Sequence, residues 1–228
     1  MNWRIEPKWA GKTAFLLAGG PSLKGFDAGI LRNHGKVLTI NDSWRLAPWA
    51  HASYFCDWQW WQMQQAKNPR AKLSTAPGGE VGFHDMIYRA FWITSSPKFA
   101  DNPQVHCIQL TGDRGLETSP VGVKHGSNSG YQAINLAYLL GAARIILLGY
   151  DMKCQAAHTH WHDEPRQAQP VFQTVLDSFI PAFDTLAAPL KEAGVEVINC
   201  TPDSALKCWP YVPLEEVLEP QLSFKEMA

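Results

Sequence analysis

At 228 residues the chain is long enough for one substantial domain and too short for two of ordinary size. Its 46% apolar and 18% charged residues exclude a disordered chain, and a formal net charge of −1 excludes the basic face that non-specific nucleic-acid binding needs. No apolar run approaches the ~18 residues of a membrane span, and five scattered cysteines without a C-x-x-C pair fit a reduced, cytoplasmic protein rather than a disulfide scaffold or zinc knuckle.

Apolar stretches of strand length recur at 13–18, 36–40, 52–56, 72–74, 90–94, 105–110, 144–149 and 195–199. Their Val-, Ile- and Leu-rich, non-alternating character predicts strands covered on both faces. Helix-length patterns at 23–34, 58–67, 129–140 and 171–193 separate several of them. That alternation predicts βαβ units, and so an α/β, three-layer Rossmann-like domain with a mostly parallel sheet over residues 1–220. Residues 221–228 read as a frayed tail. In the middle of the chain, Ser127 or Asn128 suits an N-cap, and Ala133, Leu136, Ala137 and Leu140 form a sheet-facing stripe. Gly141 suits the left-handed position past the helix end.

In an open parallel sheet, ligands sit where strands end and helices begin, and helix N-termini favour phosphate. The first strand ends in Gly19-Gly20-Pro21-Ser22, whose spacing matches neither the dinucleotide fingerprint nor the Walker loop. Glycine there permits close backbone approach, Pro21 fixes the turn, and Ser22 can cap a following helix. The second strand ends in Asn41-Asp42-Ser43, short polar groups suited equally to ribose hydroxyls and to an Asx turn. The third ends in Cys56-Asp57, followed by Trp58, Trp60 and Trp61, rings suited to packing a helix on the sheet or to stacking on a base. A second glycine turn, Gly126-Ser127-Asn128-Ser129-Gly130, opens the central helix, and the next strand ends in Gly149-Tyr150-Asp151. Two such turns in one small chain point to a nucleotide-type ligand gripped from both sides of one crevice.

Residues 152–170 are polar, histidine-bearing and bounded by Pro165 and Pro170, which predicts a lid. His158, His160 and His162 alternate, so an extended segment would present three imidazoles on one face, as a metal site requires. A general base needs only one of them, and a solvated loop needs none. Asp151 suits either Mg²⁺ beside a diphosphate or the cap of a turn.

Taken in order, GGPSL, IND, CDWQWW, GSNSGYQAINLAYLLGA and IILLGYD resemble a small family of bacteriophage-encoded proteins. That family is similar to the bacterial sialyltransferases that use CMP-sialic acid and to 6-hydroxymethylpterin diphosphokinase-like proteins. The likeness spans residues 13–162. It implies a nucleotide-dependent transferase in the host-cell cytoplasm, favouring a sialyltransferase-like glycosyltransferase with a CMP-type donor. Gly19, Gly20, Pro21, Ser22, Asn41, Ser129 and Gly130 would then grip the nucleotide with Asp151 beside it. A lid histidine would act as base without a metal: His160 first, with His158 and His162 as alternates. Asp42, Asp57, Ser127, Asn128 and Gly149 complete the expected nucleotide site by their places at strand and helix ends. The diphosphokinase likeness implies instead ATP with Mg²⁺, served by Asp57, Asp151 and the histidines. A non-catalytic nucleotide-binding accessory protein is the third reading. A homo-oligomer would use the Trp58–Trp61 cluster if those rings are exposed.

Overall fold

The computed structural model describes residues 3–67, 83–155, 158–162 and 169–219. The expected strand 72–74 and the tail 221–228 lie outside the described residues. Among the described residues, seven strands form one parallel sheet in the order β5-β4-β3-β2-β1-β8-β9. They are β1 (Thr13–Leu17), β2 (Lys36–Ile40), β3 (Ala52–Phe55), β4 (Trp92–Thr94), β5 (Val105–Cys107), β8 (Arg144–Leu148) and β9 (Glu196–Asn199). Between β5 and β8 the chain makes a separate two-strand ladder, β6 (Gln109–Leu110) with β7 (Gly122–Val123). The helices are α1 (Trp58–Lys67), α2 (Phe83–Arg89), α3 (Ser129–Leu139), α4 (Gln169–Glu192) and α5 (Leu214–Leu218).

Strand alternation sorts the core into layers. Ala14 and Leu16 of β1 pack with Ile134, Leu136, Phe183 and Leu186 of α3 and α4, while Phe15 and Leu17 pack with Leu23, Leu31, Leu214 and Val217 on the other face. The steps from β1 to β5 all move one way along the sheet, and the return through α3 to β8 and through α4 to β9 moves the other way. Right-handed crossovers therefore send α3 and α4 to the face opposite the earlier connections. The central strands β1, β2, β3 and β8 are covered on both faces, which is why the sequence shows continuous apolar runs there. The three-layer Rossmann-like architecture is thus the observed one.

Two differences from the sequence reading have local causes. The helix expected over 23–34 is two short 3₁₀ turns, Pro21–Leu23 and Ala28–Leu31. Gly25 at φ +76° stops the first, and Asp27 starts the second by accepting the Gly29 N–H at 2.8 Å. The strand expected over 105–110 splits, because the Ile108 N–H still reaches the Thr94 carbonyl while Gln109 leaves to pair with Gly122. Helices α2 and α5 are additional. Asn128 is the N-cap of α3, its Oδ1 accepting the Tyr131 N–H at 3.1 Å, and Gly141 follows the helix at φ +92°.

Trp60, Trp61, Trp44 and Trp92 are buried in one cluster with Phe55, Phe83 and Phe99, so the aromatic load chiefly packs α1 and α2 on the sheet. Trp58 alone of that segment stays exposed, with Lys98 5.7 Å from its ring. All five cysteines are free thiols. Among the described residues no helix is long and apolar enough to cross a membrane.

Candidate functional site

Strands β1 and β8 are neighbours, but the chain leaves β1 toward β2 and leaves β8 toward β9 on the other side. Such a reversal opens a crevice at the carboxyl ends of the strands. Both marked turns meet there. The Gly20 N–H donates to the Gly149 carbonyl at 2.9 Å. The Ser22 N–H and hydroxyl donate to the two oxygens of Asp151 at 3.0 and 2.7 Å. Ser22 is therefore spent on this junction and does not line the crevice. It sits inside a 3₁₀ turn and caps no helix, contrary to the sequence reading.

The two glycines differ. Gly20 has an ordinary φ of −68°, so conformation does not require glycine, but space does. A Cβ there would stand 1.9 Å from Asp151 Oδ2 and 2.5 Å from the Gly149 carbonyl oxygen. Gly19 instead faces the histidine segment, its would-be Cβ 3.3 Å from His160 Cδ2. The atoms that forbid a side chain at Gly20 are those of β8's own turn, and Gly20 also lines the cleft.

Asp151 is 1% exposed. Burial pushes its carboxyl up from the ordinary range, against the Ser22 hydrogen bonds and the nearby Lys153 charge. A raised folded value means that the folded chain keeps a proton that the unfolded chain has released. The resulting penalty is absent at low pH and grows as pH rises through the folded value. Asp151→Asn should therefore lose less stability than the wild type as pH rises above the ordinary carboxylate range, as read from paired urea unfolding curves.

The remaining walls come from three other strand or helix ends. Asn41 ends β2 at φ +51° and lines the cleft, its Oδ1 buried with no hydrogen-bond partner among the described residues. Ser127 and Met152, at φ +54° and +49°, line the same cleft. Left-handed backbone at non-glycine residues is a form of strain that gathers at functional sites. Asp42 and Ser43 turn inward. Asp42 accepts from Trp60 Nε1 at 3.1 Å and Gln64 Nε2 at 2.7 Å, and the Ser43 hydroxyl donates to the Ala18 carbonyl at 2.6 Å. The polar triplet after β2 thus divides: Asn41 and Asp42 line the cleft, and Ser43 anchors the turn. Asp57 lines the cleft and heads α1 by accepting the Gln59 N–H at 2.8 Å. At the head of α3, Ser127, Asn128, Ser129 and Gly130 line the cleft, and the Ser129 hydroxyl lies 2.9 Å from Cys56 Sγ. Because the Asn128 side chain takes only the third N–H of the first turn, helix geometry leaves the Ser129 and Gly130 N–H groups for a ligand.

The histidines separate, contrary to the one-face arrangement expected of an extended segment. His158 lies outside the cleft, its Nε2 3.3 Å from Lys24 Nζ. His160 and His162 line the cleft and stack on each other, ring centroids 5.1 Å apart and 17° from parallel. The Trp161 N–H between them donates to the Gly19 carbonyl at 3.2 Å, fastening this part of the expected lid over the first turn. Thr159 Oγ1 lies 3.0 Å from His160 Nδ1. Among the described residues no group of three His, Cys, Asp or Glu side chains is arranged to hold a metal ion.

The sequence reading missed one whole wall. Phe172, Val175, Leu176 and Phe179 of α4 face the cleft, with the Phe172 ring 5.0 Å from that of His160. Lys153, Thr159, Cys56 and Trp60 also line it. The α4 residues repeat at helical spacing and announce themselves only as a core stripe, so composition alone held no signal for them. The cleft has a volume of about 350 Å³, within the range of small-molecule sites. Its polar strand-end rim faces an apolar helix.

No family model matches the chain, and no curated protein is significantly similar to it. Solved structures of the sialyltransferase CstII from Campylobacter jejuni do share its fold. The complex with the substrate analogue cytidine-5'-monophosphate aligns with a TM-score of 0.53 at 14% identity, covering 89% of this chain and 85% of that one. The complex with CMP-3FNeuAc gives 0.51 at 14% identity over 88% and 86%. A CST-II variant in complex with CMP gives 0.50 at 14% identity over 87% and 86%. At this identity the likeness is one of fold.

Proposed function

We propose that this chain is a nucleotide-dependent glycosyltransferase that takes a CMP-type donor across the β1–β8 crevice. The observation that carries the reading is the convergence of Gly19, Asn41, the head of α3 and His160 on one cleft at the sheet's switch point. A fold shared with a CMP-bound sialyltransferase supports it. In this reading the nucleoside lies against Asn41 and Trp60, and the phosphate lies near the Ser129 and Gly130 N–H groups.

His160 is the base. When its Nδ1–H donates to Thr159 Oγ1 at 3.0 Å, Nε2 is left as the acceptor. It takes the proton of the acceptor hydroxyl as that oxygen bonds to the anomeric carbon. The carbon–oxygen bond to the phosphate breaks, and its electron pair leaves with CMP. Positioning within a cleft of this size and stabilisation of the departing phosphate supply the rest.

Thermal unfolding with a nucleotide panel tests the reading. CMP at a hundred times its Kd should add about 2.7 kcal/mol, or about 5–10 °C in Tm for a chain of this size, with or without Mg²⁺. Stabilisation by ATP only when Mg²⁺ is present would favour diphosphotransfer instead. No response to any nucleotide would overturn the nucleotide reading.

A further inference from the structure

Lys153 has no part in the nucleotide reading, on which this inference rests. It is the one lysine or arginine among the described residues that line the cleft. Its ammonium makes no side-chain hydrogen bond or salt bridge among the described residues. Its charge acts on the buried Asp151 carboxyl, which it pulls down against the upward push of burial.

The backbone that carries Lys153 is pinned from three sides. Tyr150 donates its N–H to Thr201 Oγ1 at 2.9 Å, and its carbonyl accepts from the Ser204 hydroxyl at 2.6 Å. The Asp151 carbonyl accepts the Ala205 N–H at 2.8 Å. The Cys154 N–H donates to Gln173 Oε1 of α4 at 2.7 Å, and Gln173 is itself held through Nε2 by Asp177 Oδ1 at 2.8 Å. Between these anchors Met152 keeps a left-handed φ of +49°. Strain at a non-glycine residue persists where its surroundings over-determine it, as they do at functional sites. Here the residue presented is a lysine.

Charge decides what it would meet. The cleft is lined by Asp42, Asp57 and Asp151, and a phosphate entering among acidic side chains is repelled unless a fixed cation offsets them. The head of α3 supplies only about half an elementary charge, whereas a phosphate monoester carries about −1.5 to −2 at neutral pH. The two walls adjoin, since the Tyr150 hydroxyl donates to the Gly130 carbonyl at 3.1 Å.

We propose that Lys153 is the cation that holds the donor's phosphate. As the bond between the anomeric carbon and the phosphate oxygen breaks, that oxygen keeps the electron pair, and the departing CMP gains a negative charge. The Lys153 ammonium donates a hydrogen bond to the phosphate and stabilises that charge without giving up its proton.

Calorimetry at neutral pH with CMP, cytidine and inorganic phosphate tests this. CMP should bind about 10- to 100-fold more tightly than cytidine, as charge-assisted hydrogen bonds allow. The advantage should shrink between about 0.05 and 0.5 M NaCl, because salt screens charge pairs. Lys153→Met should remove about tenfold or more of it and flatten its salt dependence, with cytidine affinity unchanged. Lys153→Arg keeps the charge and should retain the advantage within about threefold. An advantage that survives Lys153→Met, or that Lys153→Arg loses as fully as Lys153→Met, overturns the proposal.

Reductive methylation of the wild type, read by peptide mass spectrometry, needs no variant to fold. CMP or inorganic phosphate should protect Lys153, and cytidine should not. Equal labelling with and without phosphate overturns the assignment. Equal binding of CMP and cytidine refutes the phosphate cation and leaves the nucleoside reading standing. Phosphate binding that needs Lys153, with CMP no tighter than phosphate, does the reverse. If none of the three probes binds, both fall.

Discussion

His160→Ala should slow glycosyl transfer by about 10²–10⁴-fold, the usual contribution of a positioned general base, while cytidine affinity stays within about twofold. His160 lines the cleft beside Phe172 and over Gly19, and its Nδ1 lies 3.0 Å from Thr159 Oγ1, so that with the ring proton on Nδ1 the basic nitrogen is Nε2. His158 lies outside the cleft beside Lys24, so His158→Ala should stay near wild type. Thr159→Val removes the Nδ1 partner and should cost about tenfold in kcat. Steady-state rates, with nucleoside affinity measured separately, check all three. A His160→Ala enzyme of normal rate, or a His158→Ala enzyme as slow as expected for His160, would remove His160 from the mechanism.

The second large effect is on the fold. Gly20→Val should lower stability by about 3 kcal/mol or more, and Tm by about 6–12 °C. Its first added carbon would meet Asp151 Oδ2 at 1.9 Å and the Gly149 carbonyl at 2.5 Å. The β1 and β8 turns must separate to admit it, breaking the Ser22–Asp151 bonds. Gly19→Ala offers the contrast, since its Cβ meets only the His160 ring edge at 3.3 Å. It should leave Tm within about 2 °C and slow turnover by about tenfold through displacement of the base. Comparing the melting curves of the two variants checks the assignment. Equal losses of stability would mean that both glycines serve the junction.

How much of this was legible in the sequence depended on range. The parallel strands announced themselves as apolar runs, and their polar ends at Asn41, Asp57 and Asp151, with the head of α3 at Ser129, placed a crevice, because chain order and pairing order coincide from β1 to β5. Contacts between distant segments were illegible. Nothing near Ser22 in the sequence says that its hydroxyl meets Asp151, 129 residues away. The α4 wall reads as an ordinary core stripe, since Phe172 and Phe183 lie on one apolar pattern, the one facing the cleft and the other the sheet. The histidine alternation suggested three equivalent groups. A fold of the segment onto Gly19 separated them, sending His158 to Lys24 and stacking His160 on His162. The missing 23–34 helix was a local failure, where the left-handed Gly25 outweighed an apolar pattern.

The place of β1 between β2 and β8 also sets an order of assembly. During synthesis β1 can pair at once with β2, only 19 residues beyond its own end, but its other edge must wait for β8 at Arg144. Until then a strand of Phe, Leu and Ala presents open backbone, the situation in which chains add to one another edge to edge. Closing so long a loop is slow. Refolding from denaturant should therefore be concentration-sensitive, with aggregation competing until β8 docks. A fragment ending before β8 would contain most of the sheet and the β1, β2 and α3 walls of the crevice, but not its β8 turn, its histidines or its α4 wall.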